Sequence, residues 1–412
     1  MLIAFPATCN FANFSKISIS NKNKNMEKLK VLTVIGTRPE AIKMAPLLIE
    51  LSADKDFESI LCVTGQHREM LDQVLRIFEI QPKFDLDIMS DGQDLTDITS
   101  IILVKLRKIL LDLKPNIVLV HGDTTTALAA TLAAFYQQIA VGHVEAGLRT
   151  GNLYSPWPEE ANRRIIDSLA KFHFAPTISS STNLESEGTS SAHIYITGNT
   201  VIDALFLAES RIRNDSEIRL ELDEKFAFLD KSKKIILVTG HRRESFGEGF
   251  KRICRAIRVL SEKNSNIEIV YPVHLNPNVV QPVTQELRKQ NNVHLIKPLE
   301  YLPFVYLMRK SFIILTDSGG IQEEAPSLGV PVLVMRETTE RPEAVNAGSV
   351  KLVGTSVSKI VNETEKLLND IAAYSKMAES LNPYGDGKAS SRIVDILRAH
   401  TIEKPVAQNA KS

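Results

Sequence analysis

Acidic residues follow two predicted strands in the first half of the chain, and a third begins a helix after them. Asp123 comes after the apolar run at residues 117–120, and Glu145 follows the run at residues 141–144. Glu159 comes after Ser-Pro-Trp-Pro, which predicts a helix start. Each has an ordinary alternative role, Asp123 as a helix N-cap and Glu159 as a first-turn carboxylate. On one cleft, however, three carboxylates suit the removal and return of a proton from a weakly acidic C–H bond.

A glycine-containing turn in the second half predicts a phosphate site. The apolar run at residues 312–315 is followed by Thr-Asp-Ser-Gly-Gly and then by a helical pattern. Backbone N–H groups at such a turn can donate to an anion, and Glu324 in the helix could accept hydrogen bonds from ribose hydroxyls. His241, after an earlier strand, is a candidate to face a leaving pyrophosphate. The alternatives are a plain strand-to-helix turn and a solvated basic loop.

Basic residues lie near the turn after the first predicted strand, residues 31–35. The sequence Gly-Thr-Arg-Pro-Glu follows this strand, and Gly36 would let a ligand approach the backbone. Pro39 is suited to begin a helix that carries Lys43. Arg38 and Lys43 are therefore candidate ligands for an anion, although an ordinary turn with solvated side chains explains the same residues.

The sequence lacks the fingerprints of several other chemistries. No G-x-G-x-x-G follows the first strand, so a nicotinamide or flavin site lacks its motif, and no G-x-S-x-G marks a serine nucleophile. His121, His143, His241 and His274 follow four different strands, without H-E-x-x-H spacing or cysteine partners. We therefore expect neither a metal nor a cofactor.

Composition restricts the classes of partner. The chain has 412 residues, with 49 Lys and Arg against 49 Asp and Glu, so no net basic field is available for nucleic acid. An anionic ligand would instead be bound by local arginine, lysine and backbone N–H groups. The three cysteines, Cys9, Cys62 and Cys254, are far apart, which favours a reducing, cytoplasmic setting. The richest apolar stretch, residues 101–113, contains three basic residues and predicts an amphipathic helix rather than a membrane span.

The apolar runs predict an α/β fold with two sheets. The runs are continuous rather than alternating, which is typical of parallel strands covered by helices on both faces. The predicted strands are residues 31–35, 60–63, 117–120, 141–144, 235–238, 267–271, 293–296, 312–315 and 330–334. Two Rossmann-like, doubly wound domains would face each other with their strand carboxyl ends on a shared cleft.

A charged stretch at residues 205–233 connects the two series of strands and sets the domain boundary near Thr200. We predict an N-terminal Rossmann-like domain over residues 26–199. A C-terminal Rossmann-like domain, which would contain the predicted phosphate site, is predicted over residues 200–389.

The two ends of the chain are predicted to lie outside these domains. Residues 1–25 contain no acidic side chain and are expected to form an extension without fixed structure. Either a transit peptide or an upstream start, with Met26 opening the folded protein, explains them. Residues 404–412 are expected to form a tail.

The motifs together resemble those of the bacterial non-hydrolysing UDP-N-acetylglucosamine 2-epimerases. The matching segments are GTRPEAIK at residues 36–43, HGDTTT at 121–126, HVEAGLR at 143–149, GHRRE at 240–244 and DSGG at 317–320. The likeness covers essentially residues 29–399.

This resemblance implies a fold like that of the GT-B glycosyltransferases, in a homodimer, with a C-terminal helix at residues 390–403 packing back on the first domain. It also implies the chemistry. UDP leaves by anti elimination as the proton on carbon 2 is removed, giving 2-acetamidoglucal, and UDP then adds back to give UDP-N-acetylmannosamine. The resemblance implies no cofactor, and it implies that the product supplies cell-surface polysaccharide synthesis.

Site roles follow position by position from the same resemblance. It implies catalytic roles for Asp123, Glu145, Glu159 and His241, without deciding which carboxylate is the base. The implied substrate contacts are Arg38, Lys43, Leu299, Phe304, Ser318, Gly319, Gly320, Glu324 and Arg341.

A second substrate molecule activates many members of the family. The segment that contacts it corresponds here to residues 66–69, so Gln66 and Arg68 are candidate allosteric residues. Glu69 and Gly92 stand where some regulated members have glutamine and arginine, and the resemblance therefore leaves allosteric activation open.

The sequence leaves three alternative functions. A hydrolysing relative would release free N-acetylmannosamine and UDP, whereas the motifs favour the non-hydrolysing type. A glycosyltransferase of similar architecture would transfer the sugar to an acceptor, and the acid cluster argues against it. A nucleotide-sugar sensor would bind its ligand without catalysis, and its carboxylates would then be dispensable.

Overall fold

Two parallel β-sheets form the framework of the protein. The computed structural model describes residues 27–65, 68–90, 92–242 and 245–402. The first sheet contains β1 (Leu29–Ile35), β2 (Phe57–Val63), β3 (Phe84–Asp85), β4 (Ile117–His121), β5 (Ala140–Val144), β6 (Phe172–Ala175) and β7 (Ile194–Ile196). The second contains β8 (Lys234–Thr239), β9 (Ile267–Pro272), β10 (Val293–Ile296), β11 (Ile313–Thr316), β12 (Val332–Val334) and β13 (Val350–Leu352). We call the part built on the first sheet the N-lobe and the part built on the second the C-lobe.

Both sheets are doubly wound. Their spatial orders are β3-β2-β1-β4-β5-β6-β7 and β10-β9-β8-β11-β12-β13, and the paired strands run parallel. The strand order reverses between β1 and β4 in the N-lobe and between β8 and β11 in the C-lobe. Ligands of open α/β sheets bind at such switch points, outside the carboxyl ends of the strands. This arrangement confirms the predicted fold class of two Rossmann-like sheets.

Helices connect successive strands and cover the sheets. In the N-lobe and the connection they are α1 (Arg38–Ala53), α2 (Arg68–Ile77), α3 (Leu95–Leu113), α4 (Thr125–Tyr136), α5 (Glu159–Leu169), α6 (Ile178–Ser186), α7 (Thr200–Asn214) and α8 (Ser216–Lys225). Later in the chain they are α9 (Glu248–Lys263), α10 (Pro277–Leu287), α11 (Tyr301–Lys310), α12 (Gly319–Glu324), α13 (Pro342–Ala347), α14 (Val357–Asn369), α15 (Ile371–Ala378) and α16 (Ala389–Ile402).

The apolar runs do not predict β3, β6, β7 and β13. These strands have two to four residues each, and β3, β6 and β13 also contain a polar or charged residue, so they form no clear apolar run. The predicted strand at 330–334 is shortened to β12, because Val330 still belongs to the turn that follows Gly329 at φ +69°. Short strands are therefore where the sequence-based prediction was wrong.

The connection between the lobes is helical and touches both of them. The charged stretch predicted at 205–233 lies largely in α7 and α8, and α7 packs against α1 of the N-lobe and α11 of the C-lobe. The last helix, α16, packs against α1 and α7, and its Ser390 N–H donates to Asp203 Oδ1 over 2.7 Å. Arg398 pairs with Asp54 at the end of α1. The chain thus returns from the C-lobe to the N-lobe.

The amphipathic helix predicted at residues 101–113 is the greater part of α3, which buries one face through Ile98, Ile102, Leu106 and Leu110. In the described part of the chain, no helix is long and apolar enough to cross a membrane. Cys62 and Cys254 are buried free thiols, while Cys9 lies outside the described residues.

Gly147 provides a test of the backbone that follows β5. Its φ is +85°, and an added Cβ would lie 2.3 Å from the carbonyl oxygen of Ser180. Gly151 has a similar φ of +79°, but an added Cβ would meet nothing within 4 Å. We expect Gly151→Ala to cost about 1 kcal/mol of strain, and Gly147→Ala to cost about 3 kcal/mol or more because the clash adds to the strain. Urea denaturation of both variants checks this order, and equal losses of stability would contradict it.

Candidate functional site

A buried carboxylate holds the turn at the N-lobe switch point. Glu40 Oε2 accepts hydrogen bonds from the Gly36 and Thr37 backbone N–H groups, at 3.0 and 2.8 Å, and from the Thr37 hydroxyl. Its Oε1 accepts from the Thr124 hydroxyl over 2.7 Å. Burial raises the pKa of Glu40 to about 7, although these donors oppose the shift. Glu40 therefore ties the turn after β1 to the turn after β4.

Glu145 is held in a left-handed backbone conformation directly after β5, with φ +66°. Its Oε2 pairs with the Lys43 ammonium and accepts a 2.8 Å hydrogen bond from the Asn199 side-chain amide. Burial opposes ionisation, but Lys43 and the other nearby groups outweigh it and lower the pKa of Glu145. The nearby His121, by contrast, has its pKa lowered to about 3 by burial, so the ring is neutral. Glu145 is thus an ionised carboxylate inside the protein.

Asp123 lies at the N-lobe switch point and points toward α5. It is not the N-cap of α4, because Thr124 caps that helix by accepting from the Ala127 N–H. Arg163 instead donates from two nitrogens to Asp123 Oδ2, at 2.9 and 2.6 Å. The Asp123 side chain keeps about a quarter of its surface exposed, at 28%. It is therefore paired with Arg163 and still accessible to a ligand.

The first turn of α5 carries two glutamates with different surroundings. Glu160 is fully buried and accepts from the Thr150 and Gly151 N–H groups and from Arg163, so its role is structural. Glu159 Oε2 is also buried, but it has no hydrogen-bond partner among the described residues. An unpartnered carboxylate oxygen is costly to bury and requires an explanation. A ligand group in the cleft would supply the missing partner.

A second buried carboxylate holds the turn at the C-lobe switch point. Asp317 Oδ2 accepts from the His241 and Arg242 backbone N–H groups, at 2.7 and 2.8 Å. The His241 ring stacks on His274, with centroids 5.4 Å apart, and its Nδ1 is 3.4 Å from Asp317 Oδ1. Burial lowers the pKa of His241, and the His241 side chain is still 42% exposed. A neutral ring at this edge can donate a hydrogen bond from one nitrogen and accept one at the other.

Arg341 lies directly over the glycines that follow β11. Its guanidinium occupies the space of a Gly319 side chain, because an added Cβ would lie 2.7 Å from Nη1. The guanidinium donates to Glu323 over 2.6 Å and pairs with Glu340 at 3.0 Å. Although burial opposes the charge, these carboxylates raise the pKa of Arg341. A side chain at position 319 would therefore displace this cation from its present position.

Glu323 connects the two lobes across the cleft. Its Oε2 lies 3.8 Å from the Lys43 ammonium and 3.4 Å from the Asn199 side-chain amide, both of which also bind Glu145. Its Oε1 binds Arg341. A buried chain of charges thus runs from Glu145 through Lys43 and Glu323 to Arg341. The catalytic carboxylate predicted in the N-lobe is brought to the turn that contains Ser318, Gly319 and Gly320.

The comparisons with known proteins agree with this architecture. Residues 49–398 match the family model for UDP-N-acetylglucosamine 2-epimerase. The chain belongs to this family. A UDP-N-acetylglucosamine 2-epimerase from Yersinia pestis is 61% identical over 374 residues, which cover 91% of this chain and 100% of the relative.

Solved structures extend the likeness to three dimensions. The UDP-GlcNAc 2-epimerase of Neisseria meningitidis bound to UDP-GlcNAc is 56% identical, with a TM-score of 0.85, covering 90% of this chain and 100% of the other. The enzyme of Methanocaldococcus jannaschii in complex with UDP-GlcNAc and UDP is 32% identical, with a TM-score of 0.76, and has the same coverage. The GT-B-like arrangement of two Rossmann-like lobes is thereby confirmed for this epimerase-family chain.

The remaining predicted contacts lie at the interface of the lobes. Arg38 donates to the Leu299 carbonyl oxygen over 3.3 Å, so Leu299 contributes its backbone here. Phe304 lies in the first turn of α11, partly buried against the apolar core. Glu324 ends α12 and accepts a 3.0 Å hydrogen bond from the Tyr301 hydroxyl. Burial lowers the pKa of Arg38, although the nearby acidic side chains of Glu300 and Glu324 oppose this shift.

The predicted allosteric segment is only partly described. Gln66 lies outside the described residues, and Arg68 begins α2 without a described side chain. The allosteric roles of Gln66 and Arg68 stay predictions.

Sequence reasoning missed Glu323 and Asn199 as members of the site. In the sequence, Glu323 is simply the first of two adjacent glutamates, and the functional role was predicted for its neighbour Glu324. Asn199 has a second, local role as the N-cap of α7, accepting from the Val201 N–H. An N-cap asparagine is common at helix starts, so its side-chain amide gave no separate signal.

Glu324 gives this site a testable effect on stability. Burial raises its pKa to about 7, whereas an unfolded glutamate titrates near about 4.3. Between these values the folded protein binds more protons than the unfolded chain, so stability falls as pH rises through this window. Without ligand, we expect wild type to lose on the order of 3 kcal/mol relative to Glu324→Gln between about pH 5 and about pH 8.

Urea denaturation of both proteins at the two pH values measures this difference. The exposed Glu185→Gln is the matched control and should keep the pH dependence of wild type. A constant difference between wild type and Glu324→Gln would contradict the assignment.

Proposed function

We propose that this chain is a non-hydrolysing UDP-N-acetylglucosamine 2-epimerase that interconverts UDP-N-acetylglucosamine and UDP-N-acetylmannosamine. The observation that carries the proposal is the buried chain of charges that joins Glu145 of the N-lobe to Arg341 beside the glycine turn of the C-lobe. A proton acceptor and a binding site for a diphosphate therefore face the same cleft. The names and bound ligands of the similar proteins support the same substrate.

The reaction is balanced without an oxidant or a cofactor. A carboxylate removes the proton on carbon 2, the C–H electron pair forms the double bond between carbons 1 and 2, and the bond from carbon 1 to the UDP oxygen breaks. The intermediate is 2-acetamidoglucal. UDP then adds back to carbon 1 while a proton reaches the opposite face of carbon 2, which inverts that centre.

The carboxylates divide into engaged and available groups. Glu145 is held by Lys43 and Asn199, and Asp123 by Arg163, so both are oriented ions. Glu159 has a buried oxygen without a hydrogen-bond partner among the described residues. We propose that the three acids carry out the proton transfers at carbon 2, as general acid–base groups held at fixed positions.

The C-lobe would hold the nucleotide. The Ser318 hydroxyl, the Gly319 and Gly320 N–H groups and the Arg341 guanidinium would bind the diphosphate, whose negative charge increases as the C–O bond breaks. His241 would donate a hydrogen bond to the leaving UDP. Glu324 would accept from ribose hydroxyls, and Arg38 and Lys43 would add positive charge from the N-lobe.

We also propose a cytoplasmic homodimer whose product supplies cell-surface polysaccharide synthesis. The N-lobe exposes apolar side chains on two helices that pack together, Val104 and Leu111 on α3 and Phe135 and Tyr136 at the end of α4. A second copy would cover this face.

Light scattering tests the dimer and should give twice the mass of one chain. The double variant Val104→Asp with Tyr136→Asp should give the mass of a single chain. A monomeric wild type would contradict the dimer.

The reaction with UDP-N-acetylglucosamine alone tests the activity. In heavy water we expect UDP-N-acetylmannosamine to accumulate with deuterium at carbon 2, and phosphorus NMR to show only a trace of free UDP. Accumulating UDP with free N-acetylmannosamine would favour a hydrolysing enzyme. Binding without deuterium exchange would instead favour a glycosyltransferase or a nucleotide-sugar sensor.

Glu145→Gln tests the mechanism. We expect kcat to fall at least about 100-fold, because the variant loses an oriented carboxylate, while calorimetry still detects UDP binding by the C-lobe. The exposed Glu185→Gln should keep wild-type kcat. Wild-type turnover by folded Glu145→Gln would refute the proposed role of Glu145.

A further inference from the structure

His143 is a buried residue of β5 that the proposed reaction does not use. Its side chain has no exposed surface. The ring Nε2 lies 2.7 Å from the carbonyl oxygen of Gly122, and Nδ1 lies 2.5 Å from Asp167 Oδ1. A carbonyl oxygen can only accept a hydrogen bond, so Nε2 carries a proton. The charge of the ring then depends on which group holds the proton between Nδ1 and Asp167.

The surroundings of Asp167 favour a proton on His143. Asp167 Oδ2 accepts a 2.7 Å hydrogen bond from Arg149, which also pairs with Glu187. An ionised Asp167 accepts from Nδ1, and both ring nitrogens are then protonated.

The histidines on the neighbouring strands complete the surroundings of this ring. His121 on β4 is neutral, because burial lowers its pKa to about 3. His173 on β6 is paired in register with His143, and its ring nitrogens contact the backbone oxygens of Asp167 and His193. Asp167 therefore provides the carboxylate that contacts His143, and Arg149 is the cation behind it.

The Gly122 carbonyl belongs to the peptide that joins Gly122 to Asp123. Gly122 adopts φ +64°, and its N–H donates to the Val144 carbonyl oxygen over 2.9 Å. The carbonyl oxygen of Gly122 accepts the hydrogen bond from His143 Nε2. The direction of the Asp123 side chain depends on this peptide and on Arg163, which binds the Asp123 carboxylate from the other side.

We propose that His143 is a positioning residue for Asp123, a buried imidazolium that pairs with Asp167 and donates to the Gly122 carbonyl. Its hydrogen bond fixes the orientation of the peptide between Gly122 and Asp123, and this orientation directs the Asp123 carboxylate toward the cleft. The effect on turnover rests on the proposed epimerase function, whereas the protonation state of His143 does not.

Nitrogen NMR of protein labelled with ¹⁵N-histidine tests the charge directly. At about pH 8 an ordinary histidine is neutral, because its pKa is about 6.5. We expect His143, identified by the signals lost in His143→Gln, to retain protons on both nitrogens. In Asp167→Asn the amide can donate to Nδ1, so the ring should become neutral with a proton on Nε2 alone. A neutral His143 in wild type would overturn the proposal.

Kinetics of folded variants test the positioning role. We expect kcat to fall about 100-fold in His143→Ala, because a small misplacement of Asp123 has an effect of this size. His143→Gln should be intermediate, since its amide N–H can replace Nε2–H, and UDP affinity should stay unchanged in both. The exposed Glu185→Gln is the control and should keep wild-type kcat.

The two measurements separate this proposal from the proposed function. Wild-type kcat in folded His143→Ala would overturn the positioning role. A wild-type protein that does not epimerise UDP-N-acetylglucosamine would refute the proposed function, while NMR would still decide whether His143 is an imidazolium.

Discussion

The buried ionic chain across the cleft is the interaction on which the rest of the site depends. Glu145 and Lys43 come from the N-lobe, and Glu323 and Arg341 come from the C-lobe. Burying a charge costs several kcal/mol, and removing one partner leaves the other charge uncompensated. Each lobe thus contributes one ion pair, and the contact between Lys43 and Glu323 joins the two pairs only while the lobes are close together. The site is therefore complete only when the cleft is closed.

Both lobes use the same device to shape the edge of that cleft. A buried carboxylate at the switch point accepts hydrogen bonds from two consecutive backbone N–H groups of a strand-end turn. Glu40 does so for Gly36 and Thr37, and Asp317 does so for His241 and Arg242. Turns that would otherwise be adaptable are thereby fixed by groups that do not face the ligand. These turns in turn fix the positions of the side chains that face the ligand.

The net charge of the whole chain gives no indication of how charges are arranged around the cleft. Lysine and arginine equal aspartate and glutamate in number, yet three arginines, at 242, 336 and 341, surround Glu340 beside the glycine turn. A diphosphate entering there would meet cations that are already held in place by carboxylates. Preorganised charge of this kind stabilises developing negative charge without reorganisation at the moment of reaction. The local arrangement, rather than the net charge, is therefore what makes the cleft suitable for a nucleotide sugar.

The sequence by itself determined the two parallel sheets and the residues at their carboxyl ends. Long apolar runs such as β1, β4 and β8 must be buried on both faces, so Asp123, Glu145 and His241 had to emerge at strand ends. In β6 and β13 a histidine and a lysine interrupt the apolar run, and these strands were not predicted. The resemblance to a known family then supplied roles that spacing alone had left undecided.

Only the tertiary structure decided how the two lobes share charges. Lys43 and Glu323 lie on different sheets and far apart in the chain, and no local pattern encodes their contact. The same holds for the bond between His143 and Gly122, which depends on the register of β4 beside β5. Periodicity reports which face of an element is buried, whereas partners are fixed by the packing of whole elements. The sequence therefore determined which groups reach the cleft, and the fold decided which of them are ionised, paired or left available.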